Sequence, residues 1–297
     1  MAVIHRQLNS SQNRRILSTF IESDHFQTEM RSVNQESDAI TMTEDDETSL
    51  LNSEKEVVVL NHPKLNKKIN FTSQHQYRRR KLGCPCPAIA ILANHSYITP
   101  KNAEDPIPFY QLIYGLVYCF NISFLNAIFL TFTANILCGN GWSTSMAKLG
   151  AHNKIEHDGS LTRYDSDKGD SLNPSPERIF NFLQSASKPN DRLTLKDFAR
   201  QRILVEMETE TTRSMTRRGI LTTLGEYGLV MSVFGKKTSM IKGDEEMGIT
   251  AEWFKTIYLD EKLPSDYSPP DQPVTVFKVF RLGKSLHKMM KNTQSLI

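Results

Sequence analysis

The sequence contains few cysteines and lacks an apolar leader, and these two absences exclude several classes of protein. Four cysteines in 297 residues are too few for a disulfide scaffold. Cys84 and Cys86 have one residue between them instead of the two of a zinc knuckle, and no second cysteine or histidine pair completes a zinc set. The N-terminus turns polar at His5, without the apolar segment of a secretory signal peptide. We therefore expect an intracellular protein without structural zinc.

An excess of charge of either sign is also absent. The chain has 36 basic and 33 acidic residues and a net charge of +3, a balance that argues against a dedicated nucleic-acid binder. Hydrophobic residues make up 39% of the chain, which is below the usual globular share. Residues 1–79 are rich in Ser, Asn, Gln, Thr and charge, and such a composition buries too little apolar surface to fold alone. We predict a mostly disordered extension there.

Residues 80–270 have the character of a single helical domain. Strand-like alternation is rare and no internal repeat is present, so the predicted fold class is all-α. Residues 106–147 contain no Asp, Glu, Lys or Arg and include two apolar segments, 109–120 and 124–138. Each segment is short for a bilayer span. We therefore expect two buried helices, with a membrane hairpin as the alternative.

The final segment, 271–297, is predicted as a basic amphipathic tail. Its apolar residues share one helical face, and its basic residues fall mostly on the other. The two sets are Val279, Leu282, Leu286 and Met289, and Lys278, Arg281, Lys288 and Lys291. Such a helix lies on an anionic membrane or docks on its own domain, and the pattern leaves both open.

The first candidate for chemistry is Cys86, between Pro85 and Pro87. Pro87 suits the first turn of a helix because it has no N–H to leave unpaired. A cysteine that precedes a helix has free backbone N–H groups aimed at its sulfur, and these groups and the helix dipole stabilise a thiolate. A thiolate of this kind suits an axial iron ligand. An inert cysteine in a turn is the alternative, and Cys84 is the rival ligand.

Two further motifs carry carboxylates. Glu156 and Ser160 enclose His157, and oxygen ligands at this spacing suit a hard cation. His157 is also a candidate for orienting an acid–base group. Glu226 is the only carboxylate in the apolar stretch 219–235. A buried carboxylate is costly unless it is paired or functional, which makes Glu226 a candidate general acid–base.

Together the three motifs resemble those of the fungal haem-thiolate peroxidases, the family of chloroperoxidase and the short-type unspecific peroxygenases. Pro-Cys-Pro, Glu-His-Asp-x-Ser and a downstream Glu occur in that order over residues 82–270. Equal intervals of 70 residues separate Cys86 from Glu156 and Glu156 from Glu226, and these suit the short members. The residue seven positions before Glu226 is Gly219 and not an Arg. This difference also fits the short members of the family.

The resemblance implies a role for each motif. Cys86 would be the axial ligand of haem b, and Glu226 the distal acid–base, held by the His157 side chain. Glu156, Ser160 and the His157 carbonyl would bind Mg²⁺ or Mn²⁺ near a haem propionate. The implied function is a peroxidase or peroxygenase that uses hydrogen peroxide on small apolar organic substrates. The alternative is an inactive or scaffold haem-domain protein, attached to a membrane or partner by its basic tail.

Overall fold

The chain folds mainly into helices, as the all-α prediction expected. The computed structural model describes residues 75–187, 191–210, 216–238 and 246–294. Its helices are α1 Pro87–Asn94, α2 Phe109–Phe120, α3 Phe124–Cys138, α4 Met146–Leu149, α5 Pro176–Ser185, α6 Leu195–Glu210, α7 Arg217–Val233, α8 Ala251–Tyr258 and α9 Val276–Gln294. The mostly helical fold class is confirmed.

Five short strands supplement the helices in the described ranges. They are β1 Ile107–Pro108, β2 Ser143–Thr144, β3 Arg192–Thr194, β4 Lys236–Thr238 and β5 Glu246–Thr250. β1 and β2 form an antiparallel pair, and β5 lies between β3 and β4 in a second antiparallel sheet. Thr250 ends β5 and caps α8, because its hydroxyl accepts a hydrogen bond from the Trp253 N–H.

An aromatic cluster joins the helices that carry the candidate residues. The rings of Phe182 on α5, Phe198 on α6 and Phe254 on α8 pack edge to face, an arrangement that adds to the gain from burial. Tyr227 on α7 packs on Phe198 in the same way. Because Tyr227 follows Glu226, the cluster fixes the part of α7 that carries this carboxylate.

The uncharged stretch forms the two predicted helices, α2 and α3. Asn121 separates them with a left-handed backbone, at φ 48°. Ser123 occupies the N-cap position of α3, but its side chain makes no capping hydrogen bond. Among the described residues, no helix combines the length and the apolar character that a membrane crossing requires.

The tail helix α9 docks on its own domain. Gly283, Leu286 and Met290 of α9 are buried, and the backbones of α7 and α9 come close at two glycines. A Cβ added at Gly228 would lie 2.3 Å from the Val279 carbonyl oxygen, and one at Gly283 would lie 2.6 Å from that of Leu224. Of the predicted apolar face, Leu286 is buried and Val279, Leu282 and Met289 are half-buried. Residues 295–297 lie outside the described ranges.

The segment that leads into α1 is bound to it. The Arg78 N–H donates to the Asn94 carbonyl at 2.8 Å, and the Arg80 N–H donates to the Asn94 side chain at 2.7 Å. Residues 75–79, which the sequence analysis placed in the polar extension, therefore lie against the end of α1. Residues 1–74 lie outside the described ranges, so their predicted disorder stays a prediction.

Candidate active site

Cys86 occupies the N-cap position of α1, with Pro87 as the first helical residue. Its side chain makes no capping hydrogen bond, but the free backbone N–H groups of Ala88 and Ile89 in the first turn favour the charged form of its sulfur. Burial raises the pKa of the Cys86 thiol, and these two N–H groups oppose that rise. Cys86 is half-buried, so the residue combines backbone groups that favour an anion with partial accessibility.

Cys84 has a different environment from that of Cys86. Its side chain is buried, and its thiol donates to the Cys86 carbonyl oxygen at 3.4 Å. Burial raises the pKa of the Cys84 thiol, and the adjacent Cys86 adds to this effect. A buried neutral thiol that is bonded within its own loop is a poor metal ligand.

His157 and Glu226 come together from distant parts of the chain. The imidazole Nε2 lies 3.5 Å from a carboxylate oxygen of Glu226, and Nδ1 lies 2.8 Å from the Asp158 carbonyl oxygen. Burial opposes the charge on both groups, but their mutual attraction outweighs it. The pKa of His157 is therefore raised and that of Glu226 lowered. A carbonyl accepts only, so Nδ1 carries a proton, and the directions of the two pKa shifts favour the imidazolium–carboxylate form of the pair.

The Glu226 side chain is accessible, in contrast to that of His157. Its side chain is 48% exposed although it lies near the middle of α7, whereas His157 is 7% exposed. The Glu226 charge acts on both the Cys86 thiol and the Tyr258 hydroxyl. Cys86 and Tyr258 thus both lie within range of the Glu226 charge. Sequence reasoning missed Tyr258, because an aromatic residue at the end of an amphipathic helix resembles an ordinary core residue.

Arg202 is a second residue that sequence reasoning missed. It is 1% exposed on α6, bonds Glu206 at 2.8 Å and donates to the Gly159 carbonyl between His157 and Ser160. Its positive charge helps to lower the pKa of Glu226. No local sequence pattern distinguishes Arg202, because charged residues on an amphipathic helix are usually exposed to solvent.

The predicted cation ligand Glu156 lies in a group with His152 and Asp158. One oxygen of Glu156 is 2.6 Å from His152 Nδ1, and the other is buried without a hydrogen-bond partner. His152 Nε2 lies 3.6 Å from Asp158, and one ligand atom from each residue lies within 4.8 Å of the others. Ser160 accepts a hydrogen bond from the Thr162 N–H at 3.3 Å. The sequence analysis named neither His152 nor Asp158 as a ligand.

Comparison with known proteins identifies the family of the chain. The sequence profile of "Peroxidase, family 2" matches residues 69–272. This chain belongs to peroxidase family 2. The aromatic peroxygenase of Coprinellus radians is 24% identical over 208 residues, which cover 62% of this chain and 77% of that protein. Membership makes this chain a chloroperoxidase-like, haem-thiolate enzyme, an oxidoreductase that acts on peroxide.

The cofactor that peroxidase family 2 implies fits the chemistry of Cys86, Glu226 and His157. A haem-thiolate peroxidase would need a cysteine sulfur to bind the iron and an acid–base group to move the protons of peroxide. Cys86 has a thiol whose charged form is favoured by two backbone N–H groups, and Glu226 has a partly accessible side chain paired with a buried histidine. The unpaired buried oxygen of Glu156 fits a hard divalent cation, which prefers oxygen ligands.

Proposed function

We propose that Cys86 binds the haem iron and that Glu226 and His157 form the acid–base pair for hydrogen peroxide. One observation supports this most strongly. The Glu226 charge acts on the Cys86 thiol, the Glu226 side chain is 48% exposed, and Cys86 is half-buried. Haem, when bound, supplies an iron whose thiolate ligand favours cleavage of the O–O bond.

Glu226 is suited to remove the first proton from hydrogen peroxide. The imidazolium of His157 and the guanidinium groups of Arg202 and Arg163 keep the carboxylate ionised at neutral pH. Glu226 takes a proton from one peroxide oxygen and returns it to the oxygen that leaves as water. His157 holds the carboxylate in place, and the Asp158 carbonyl holds His157.

We also propose that Mg²⁺ or Mn²⁺ binds at Glu156, with the Ser160 side chain and the His157 carbonyl as further ligands. The buried and unpaired Glu156 oxygen supports this, since such an oxygen is costly without a partner. His152 and Asp158 are additional candidates, because they lie within reach of the same point. The cation would thereby fix the backbone on which His157 stands.

The proposed substrates are small apolar organic molecules, oxygenated or oxidised at the expense of peroxide. Product analysis with isotopically labelled hydrogen peroxide and a panel of apolar compounds tests this. Peroxide-derived oxygen in the products would support oxygen insertion, and unlabelled coupled products would support one-electron oxidation. Peroxide-independent products, or none across the panel, would contradict the proposal. The inactive-scaffold alternative has less support, because Cys86, His157 and Glu226 are all retained.

We propose further that the exposed face of α9 rests on an anionic lipid surface. Residues 274–294 contain five basic residues and no acidic one. Phe277 is 86% exposed and Phe280 70% exposed, and Arg281, Lys284, Lys288 and Lys291 are exposed further along the helix. Exposed aromatic rings beside basic side chains are typical of helices that bind membrane interfaces.

Vesicle sedimentation of the whole protein tests the lipid contact. We expect binding to phosphatidylserine-containing vesicles, weakened by salt and lost in the double variant Phe277→Ser with Phe280→Ser. Leu221→Ser, which removes an exposed apolar side chain of α7, should leave binding unchanged. No binding, or equal binding to pure phosphatidylcholine vesicles, would contradict the proposal.

A further inference from the structure

Arg163 lies buried beside the loop that carries Cys86. Its side chain is 3% exposed, and its Nη2 donates to the Cys84 carbonyl at 3.1 Å and to Glu261 at 3.0 Å. Its Nη1 donates to Thr162 at 3.3 Å. The guanidinium is therefore held rigidly, and it fixes the backbone two residues before the Cys86 sulfur.

Glu261 completes a buried ion pair with Arg163. Its side chain is 10% exposed, and its carbonyl accepts a hydrogen bond from the Asn94 side chain at 3.0 Å. Its backbone has φ 49°, in the left-handed region that costs free energy for any residue but glycine. The chain thus keeps a strained residue and two buried charges at this place, although a buried ion pair is weak as a stabilising device.

The two charges of the pair act differently on the candidate site. The Arg163 charge opposes the effect of burial on the pKa of the Cys86 thiol, and it also helps to lower the pKa of Glu226. The Glu261 charge acts on the neighbouring Cys84 with the sign opposite to that of Arg163. A fixed positive charge near a metal-bound thiolate reduces its electron donation to the metal, and a fixed negative charge increases it.

We infer that the Arg163–Glu261 pair sets the reduction potential of the haem iron through the Cys86 loop. Arg163 is the positioning residue, because it holds the Cys84 carbonyl and brings a positive charge within range of the Cys86 sulfur. Glu261 reduces the effect of that charge. This inference rests on the proposed ligation of haem by Cys86, and it adds the part of the chain that adjusts the thiolate.

Redox titration of the haem-loaded protein separates an electrostatic role from a structural one. Both Arg163→Gln and Glu261→Gln break the same ion pair, so a purely structural role would move the potential in the same direction in both variants. The electrostatic role predicts opposite shifts: more negative in Arg163→Gln and more positive in Glu261→Gln. Shifts of the same sign, or unchanged potentials, would overturn the inference.

Two further variants and a spectrum complete the test. Arg163→Lys keeps the charge and should stay closer to the wild-type potential than Arg163→Gln does. Arg178→Gln breaks the more exposed pair between Arg178 and Glu208 and should leave the potential unchanged. If Arg163→Gln does not fold, the sign of the shift in Glu261→Gln decides. The carbon monoxide spectrum of each reduced protein reports whether a thiolate binds the iron. A wild-type spectrum without the thiolate signature would overturn the proposed function itself.

Discussion

The Nε2 atom of His157 lies 3.5 Å from the Glu226 carboxylate, although 68 residues of chain separate the two positions. One belongs to the irregular segment between α4 and α5 and the other to α7. Burial makes the charged form of each side chain less favourable, and the opposite charge of the partner offsets this effect. The accessible side of the carboxylate leaves it free to exchange a proton with a small molecule.

Replacement of Glu226 by Gln tests this pair. The amide keeps the shape of the side chain but cannot accept and return a proton, so we expect peroxide turnover to fall about 10²- to 10⁴-fold. The haem spectrum should stay unchanged. Glu252→Gln, on the exposed side of α8, serves as the control and should retain activity. Full activity of Glu226→Gln would show that another group moves the proton.

Removal of the proposed cation tests the role of Glu156. A ligand that binds only the folded state stabilises it by about 2.7 kcal/mol at a concentration 100 times its dissociation constant. We therefore expect Mg²⁺ or Mn²⁺ to raise the thermal midpoint of the haem-loaded wild type, and chelation to reverse this. Glu156→Gln should lose the response, and Asp271→Asn, at an exposed position, should keep it. An equal response in Glu156→Gln would contradict the assignment.

The contact between α7 and α9 is tested by two glycines on the same helix. Gly228→Ala would place a Cβ against the Val279 carbonyl, so we expect it to lower the free energy of unfolding by about 1–3 kcal/mol. At Gly225 an added Cβ meets nothing within 4 Å, and Ala there should stabilise the helix by about 0.5–1 kcal/mol. Urea unfolding measures both, and equal changes would contradict the close crossing.

The pH dependence of stability is predicted from His95. Burial holds its pKa below the usual range, and its neutral ring accepts the Leu263 N–H at 3.1 Å while facing the His75 carbonyl at 2.9 Å. Because the folded pKa of His95 lies below the unfolded value, its contribution to the free energy of unfolding is complete above about pH 6.5. This contribution is lost as the pH falls through the folded pKa.

Thermal unfolding between about pH 7.5 and pH 5 checks this sign. His95→Gln should be less stable than the wild type at the upper pH, and the difference should shrink as the pH falls. His287→Gln, at an exposed position on α9, should keep the wild-type slope. A gap for His95→Gln that stays constant across the range would show that His95 protonation does not contribute.

Local patterns in the sequence predict more of the fold than of the site. Pro87 marked the start of α1, and the two apolar segments became α2 and α3, because capping and helical hydrophobicity act over neighbouring residues. Arg202 and His152 gave no comparable signal. Their surroundings depend on the path of the irregular segment 150–175, which has no periodicity and which only tertiary contacts determine. Family resemblance, rather than any local pattern, linked His157 to Glu226 in the sequence analysis.

The central claim is that Cys86 supplies the sulfur ligand of the haem iron. The most direct measurement is the absorption spectrum of the reduced protein with carbon monoxide, for the wild type, Cys84→Ala and Cys86→Ala. We predict the strongly red-shifted Soret band of thiolate-bound haem in the wild type and in Cys84→Ala, and its loss in Cys86→Ala. An unshifted band in the wild type, or a shifted band that survives in Cys86→Ala and disappears in Cys84→Ala, would contradict the claim.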